Sequence, residues 1–299
     1  MSATKIKRST ASNCFDVINY TFMIIFAITI LFPIWNLIVV SLSDAKDVSF
    51  MSINLYPKNL TWDAYQYVMH DKQFYTSLSV SVSRAVVGTI VHLVICSLGA
   101  YSLSKSDLPF RKSITVILLI PMFFSGGLIP TYMNIKNLNL LDSFWVYIFP
   151  PAFSIFNTII LRNYMMGIDK SLEESAELDG ANYLDIFVKI TLPLSKPVLA
   201  TVTLWTMVGQ WNSWFDNLIY VRSESLLTLQ YLLRRMMMET EALSNTATGV
   251  AVEMGLGNNF NTETIRSATT VLVILPIICV YPFLQKYFVT GLMTGAVKG

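Results

Sequence analysis

Six long apolar windows constrain what this chain can become more than anything else in it. They fall at about residues 15–41, 76–103, 113–133, 144–162, 198–221 and 267–289. Each approaches the roughly 20 helical residues needed to cross about 30 Å of hydrocarbon. Within hydrocarbon a backbone must satisfy its own N–H and C=O groups, so spans of this length are expected as helices. Composition agrees: 54% of the 299 residues are hydrophobic, 13% are charged, and the mean hydropathy of +0.53 is too apolar for an ordinary soluble domain. The expected fold class is an all-α integral membrane protein with six transmembrane helices.

An even number of spans puts both termini on one side, and Lys and Arg assign the side because basic loops stay in the cytoplasm. With the termini inside, twelve basic residues are inner (Lys5, Lys7, Arg8, Lys105, Arg111, Lys112, Arg162, Lys170, Lys189, Lys196, Lys286, Lys298) and eight outer (Lys46, Lys58, Lys72, Lys136, Arg222, Arg234, Arg235, Arg266). Both termini are therefore expected in the cytoplasm, with the short 105–112 loop as the cleanest indication. The apolar run from Phe15 to about Val40 follows a basic N-terminus. It is too long for a signal-peptide core and lacks a small-residue cleavage site, so it reads as a retained first span.

Net charge is only +2, and no basic run alternates with aromatics, which argues against nucleic acid as a partner. Cys14, Cys96 and Cys279 are isolated from one another, so neither a disulfide nor a metal site is expected. Two outer segments, 42–75 and 222–266, are longer than linkers. In the first, WDAYQYVMH places Trp62, Tyr65 and Met69 at helical spacing and predicts a short surface helix. The second reads as a helix followed by a mobile Gly/Asn-rich loop.

Between the fourth and fifth windows stands EESAELDGANY, residues 173–183. Ser171 precedes Glu174 by three residues, the spacing of a capping box, which would start a helix there. Gly180 suits a left-handed helix end, and Asn182 with Asp185 can restart a helix. Tyr183, Ile186, Phe187 and Ile190 then share a face, and Leu192-Pro193 stops the element before Pro197 opens the fifth span. From charge alone, an ordinary solvated loop accounts for the stretch equally well.

The spacing says more than the charge. Glu174-Ser175-Ala176, three residues, Gly180, nine residues, Ile190, one residue and Leu192-Pro193 resembles the EAA signature of permease subunits in binding-protein-dependent ABC importers. Ser175 stands where that signature carries Ala. Asp179-Gly180-Ala181 and the flanking LRNYMMGIDKSLEESAELDGA resemble the branch that imports maltose-type and larger oligosaccharides. So do PMFFSGGLIPTYMNI, GQWNSWFDNLIYV and PFLQKYFVTGLMTGAVKG, and together these stretches span most of residues 75–299.

The resemblance implies a type I importer permease architecture: a cytoplasmic N-terminus over residues 1–14, then one transmembrane permease domain over 15–299. Its core bundle would occupy about 76–289 and its coupling helices about 171–193. It implies ATPase coupling through Glu174, Ser175, Ala176, Asp179, Gly180, Ala181, Phe187, Ile190, Leu192 and Pro193. The C-terminal tail with Lys298 and Gly299 reaches the ATPase interface in some relatives, although a short basic tail also follows many last spans. The implied partners are a homologous second permease, two ATP-binding subunits, an extracytoplasmic sugar-binding protein and the oligosaccharide, in a bacterial plasma membrane. No cofactor is expected on this chain, since the sequence has no G-x-x-x-x-G-K-[ST] loop, so ATP and Mg would belong to the ATPase.

Sugar recognition in a bilayer needs amides, carboxylates and aromatic faces lining a cavity. Helix rise places Gln210, Trp211, Asn212, Trp214 and Asp216 about 20–30 Å above Pro197. Tyr132 on the third span, behind a Gly126-Gly127 and Pro130 break, and Asn157 on the fourth complete the candidate substrate path. Asn212 and Asp216 would share a helix face; inter-helix hydrogen bonds are the competing role. Trp145, Tyr147 and Tyr220 suit an interfacial belt. Arg84 is expected to snorkel or pair with a carboxylate, and His92 to be packed or hydrogen-bonded in the bundle. An ion-coupled secondary transporter is the alternative, with Asp216 as its candidate intramembrane carboxylate. A membrane enzyme finds no H-E-x-x-H or G-x-S-x-G in the chain.

Overall fold

The computed structural model describes residues 10–48, 53–244 and 262–296, and among them the regular structure is helical. The loop expected after residue 244, the basic N-terminus and the tail residues Lys298 and Gly299 lie outside the described residues. Two compact units share the chain, Met1–His70 with Glu239–Leu272, and Asp71–Met238 with Val273–Gly299.

In the first unit, α1 (Thr10–Ser41) leaves nearly every side chain from Phe15 to Trp35 exposed, as lipid-facing residues would be. Only its end is buried, at Val39, Val40 and Ser41. Beyond it the Trp35 indole donates to the Leu55 carbonyl at 2.9 Å, and an isolated antiparallel bridge joins Ser43 to Leu60. The expected surface helix is α2 (Asp63–His70), which buries Ala64 and Val68, while Trp62 and Met69 stay exposed. The apolar face is thus one residue set away from that expected, because Ala64 and Val68 are small enough to pack closely.

The second unit is built on α3 (Lys72–Ser104), capped by Asp71, whose carboxylate accepts from the Gln73 N–H at 2.8 Å. Next come α4 (Arg111–Phe123) and α5 (Leu128–Asn137), bent by 113° across the expected glycine break, the geometry of a broken span or a re-entrant loop. The fourth window is not one helix. It opens with a 3-10 turn at Phe144–Tyr147, breaks around Pro150-Pro151, and resumes as α6 (Ile155–Met165). Two successive residues without a backbone N–H cannot sustain the helical ladder. Eleven residues reach only about 16 Å.

Then follow α7 (Lys170–Leu178) and α8 (Tyr183–Leu194), and at Ser195 the chain turns by 79° into α9 (Lys196–Asn212). The expected fifth span stops short, because Ser213 is extended and α10 (Phe215–Tyr220) starts afresh. The last helices are α11 (Leu229–Ser244) and α12 (Thr262–Ala296), the latter containing Pro276 and Pro282. Among the described residues α1 and α3 are each long and apolar enough to cross a membrane, and the bent pairs α4–α5 and α8–α9 raise the number to four if each counts as one span.

Among the described residues, two buried clusters hold this unit together. Cys96, Ala100 and Tyr101 of α3 meet Leu161 and Met165 of α6, Ile186 and Phe187 of α8, and Val198 and Val202 of α9. Nearer the start of α3, Val80 packs with Ile135, Val146, Tyr147, Ile148 and Val221. With α9 rising from α8, these two clusters occupy opposite ends of the helix group, and the candidate sites lie beside them.

Candidate functional site

The acidic stretch folds into a helical hairpin. Asp169 rather than Ser171 caps α7, its carboxylate accepting from the Ser171 N–H at 3.0 Å, so the helix begins earlier than the capping-box spacing implied. Gly180 sits at φ +83°, a left-handed turn that L side chains rarely adopt, and the Ala181 N–H returns to the Ala176 carbonyl at 2.9 Å. Asn182 then caps α8 through bonds of 3.0 Å from the Leu184 and Asp185 N–H groups. The Phe187–Thr191 turn is π-helical, with the Leu192 N–H bonded to the Phe187 carbonyl. The stop expected at Leu192-Pro193 therefore comes at Leu194. Pro193 cannot donate to the carbonyl four residues back, and the wider turn before it absorbs that loss.

The hairpin has a rooted side and an open side. Ile186 and Phe187 are buried in the core, with the Phe187 and Tyr101 rings 5.0 Å apart, and Ala176, Ala181, Ile190 and Leu192 pack against the same cluster. Glu174, Ser175, Asp179, Gly180 and Pro193 are exposed, and Leu178 at the tip is 90% exposed. Tyr183 leaves the apolar face expected for it and donates to the Asp107 carboxylate at 3.0 Å. Of the residues assigned to coupling, Phe187 anchors the hairpin, while the exposed ones form its outer surface.

Two clefts flank α7. One of about 370 Å³ lies between the hairpin's arms, lined by Ala176, Asp179, Gly180, Asp185, Lys189 and Ile190. Lys189 pairs with Asp185 at 2.6 Å there, which holds the Asp185 carboxyl below its usual pKa. The other, of about 430 Å³, lies between α7 and the loop after α3, and includes Lys105, Asp107, Arg111, Glu173, Glu174 and Tyr183. Across it Lys105 meets Glu173 at 2.6 Å and lies 4.4 Å from the Tyr101 ring centre. Burial works against the Lys105 charge, but the Glu173 carboxylate and the Tyr101 hydroxyl outweigh it and raise the lysine pKa. The hydrogen bond to Asp107 likewise raises that of Tyr183. The hairpin is therefore tied to the loop after α3 by two polar contacts, as well as to α3 by its apolar root. Sequence reasoning missed this, although the basic 105–112 loop and the acidic 173–177 turn were both visible.

At the other end of α9 the residues proposed for a substrate path divide. Arg84, only 2% exposed, donates through Nε to Gln210 Oε1 at 2.8 Å and through Nη1 to the Ser213 carbonyl at 3.2 Å, and forms an ion pair with Asp216. Its guanidinium lies 4.6 Å from the Tyr147 ring centre. The Ser213 hydroxyl also donates to Asp216 at 3.0 Å, and the Tyr147 hydroxyl to the Leu226 carbonyl at 2.8 Å. A Cβ on Gly88 would stand 2.8 Å from the Gln210 amide, so a glycine is needed to let that side chain pass. Trp211 is buried and donates to the Val273 carbonyl at 3.2 Å.

Tyr147, expected in an interfacial belt, is fully buried in this network. Asn157 bonds to His92 Nε2 at 2.9 Å, while His92 Nδ1 meets the Pro151 carbonyl at 2.9 Å. A carbonyl only accepts, so Nδ1 carries the proton and Nε2 accepts from the Asn157 amide.

Asn212 and Asp216 do not share a face, because the extended Ser213 separates their helices. Asp216 turns inward to Arg84, whereas Asn212 is exposed and accepts from the Gln230 amide at 3.3 Å. Trp214 is half-buried beneath the guanidinium of Arg234, 5.2 Å from its ring centre. Tyr132 stacks on Tyr220 with centroids 6.2 Å apart. Loops at this end are fastened by Asp142, whose exposed carboxylate accepts from the Arg222 and Ser223 N–H groups at 2.9 and 2.8 Å and from the Ser223 hydroxyl at 2.5 Å. The Ser223 bonds, first the hydroxyl and then the amide, lower the Asp142 pKa.

Residues 1–293 match the binding-protein-dependent transport system inner membrane components. The chain is 40% identical over 285 residues to the polygalacturonan/rhamnogalacturonan transport system permease protein YtcP of Bacillus subtilis (strain 168), covering 95% of this chain and 98% of that protein. It is 28% identical to the arabinooligosaccharides transport system permease protein AraQ of the same strain, covering 93% and 94%. Its fold superposes with a TM-score of 0.85 and 34% identity on a chain from a bacterial ABC transporter involved in the import of the acidic polysaccharide alginate, covering 95% of this chain and all of that one.

Proposed function

Because this chain belongs to the family of binding-protein-dependent transport system inner membrane components, the permease subunits of ABC importers, we propose that it moves oligosaccharides with its α7–α8 hairpin as the lever worked by a separate ATPase. The relatives named for polygalacturonan, rhamnogalacturonan and arabinooligosaccharides support the substrate class. In this reading the chain spans the bacterial plasma membrane six times with both termini in the cytoplasm. It pairs with a homologous permease, and two ATPase copies bind ATP and Mg. A sugar-binding protein delivers the cargo from outside; one similar fold, at 14% identity, was solved with a periplasmic protein carrying alginate pentasaccharide. The tail with Lys298 and Gly299 reaches the ATPase interface.

The observation that carries the reading is the hairpin itself, an acidic outer surface turned at Gly180 and rooted through Ile186 and Phe187 among α3, α6 and α9. A force on such an element reaches the helix group without passing through a soft joint. Asp216, the carboxylate an ion-coupled transporter would need, is neutralised by Arg84. The test is co-purification from the native membrane in mild detergent. An ATPase carrying a phosphate loop is expected to co-elute, and changing Glu174 to Lys together with Gly180 to Val should remove it. A stable preparation without any ATPase contradicts the reading.

A further inference from the structure

We propose that Arg234, Trp214, Asn212 and Gln230 form a subsite that reads the carboxylate of a uronate residue, making this permease selective for acidic oligosaccharides; this rests on the importer reading above. The names of relatives leave the charge of the cargo open, since arabinooligosaccharides are neutral and polygalacturonan and alginate are acidic. The arginine decides between them.

The guanidinium of Arg234 is held by its face and free at its edge. Trp214 lies beneath it at 5.2 Å, a cation–π contact that fixes the plane without using any N–H. Its Nε is buried with no hydrogen-bond partner, and among the described residues no carboxylate meets the group. Arg234 as a whole is only half-buried, and its Nη1 and Nη2 groups carry no hydrogen bond, so a planar carboxylate arriving at that edge of the fork takes two parallel bonds. Arg84 makes the contrast: Gln210, Ser213 and Asp216 take four of its five N–H groups, and its charge is already paired.

The neighbouring amides suit a sugar ring. Asn212 Oδ1 accepts from Gln230 Nε2 at 3.3 Å, which leaves the Asn212 NH₂ and the Gln230 carbonyl for hydroxyl groups beside the carboxylate. Asn212 is exposed, and it closes α9 about 24 Å from the Lys196 end that adjoins the hairpin. Cargo therefore meets this cluster at the end of the helix group remote from the ATPase lever.

The test uses the complete importer, purified through this chain and reconstituted in proteoliposomes with its binding protein and ATP. Uptake of trigalacturonate is compared with that of its fully methyl-esterified, uncharged form. Arg234→Gln is expected to lower trigalacturonate uptake about tenfold or more, the scale of one charge-assisted pair, and to leave the ester within about twofold. Arg234→Lys, which keeps the charge and loses the fork, should fall between. Equal loss of both sugars makes Arg234 a structural strut, and no loss of either makes it a bystander; each outcome overturns the proposal. A wild-type importer that moves only the ester overturns acidic selectivity while the importer reading stands. Failure to recover an associated ATPase or any sugar uptake sinks the importer reading itself.

Discussion

Three single residues carry consequences out of proportion to their size. Arg84 is almost fully buried opposite Asp216, so Arg84→Met strands a carboxylate with no counter-ion and should destabilise the chain by about 3–5 kcal/mol. Adding Asp216→Leu should recover most of that loss, and thermal unfolding in detergent of the two single variants and the pair measures it. Gly180→Val forces a β-branched side chain to φ +83°, a strain of about 1–3 kcal/mol concentrated at the hairpin tip. Uptake should collapse while the bundle stays folded, and a variant with normal ATP-driven uptake contradicts the lever. Asp142 is a pH-sensitive fastener. Its folded pKa is depressed, so its contribution is complete above the ordinary carboxylate value and is lost as pH falls through the lower folded one. Hydrogen-exchange protection of the Arg222 and Ser223 amides, measured relative to the intrinsic exchange rate at each pH, should fall across that acid window and not change between pH 6 and 8.

Among the elements, the hairpin gives the sharpest expectation. Lys105→Glu sets two carboxylates against each other across the cleft beside α7, and removing the pair costs about 1–3 kcal/mol of the tie between α7 and α3. Transport per ATP hydrolysed should drop in Lys105→Glu and in Glu173→Lys, and the charge-swapped double variant should restore it. A swap no better than either single variant shows that the contact does not matter. This hairpin was legible from sequence, because Gly180 and Asn182 act locally and the chain obeys them. The breaks in the other windows were harder to see. Pro150-Pro151 cut the fourth window and Ser213 the fifth, though a hydropathy window averages over such single residues. The partners of Arg84 were also invisible, since Gln210 and Asp216 lie more than 120 residues away in sequence, as was the fate of Asn212, which depends on a helix ending one residue later.

For the whole molecule, the family makes this chain the inner membrane component of a transport system. In the proposed reading ATP is bound and hydrolysed on a separate subunit, so the isolated chain should neither bind nor hydrolyse ATP, and activity should appear only in fractions where a second polypeptide co-elutes. ATP binding by the chain purified alone, at a stoichiometry near one, contradicts this division. The apolar side chains bared along α1 make the same point from another direction, since they need lipid or another protein to cover them.

The root of the hairpin also bears on how such a chain is made. Ile186 and Phe187 settle against Val198 and Val202, which leave the ribosome after them, and against α3, which left long before. The hairpin cannot take its final shape until α9 has been inserted and has closed on the older helices. In the proposed importer, an ATPase that grips only the finished hairpin would thereby inspect the fold before joining it, and assembly would double as quality control on this subunit.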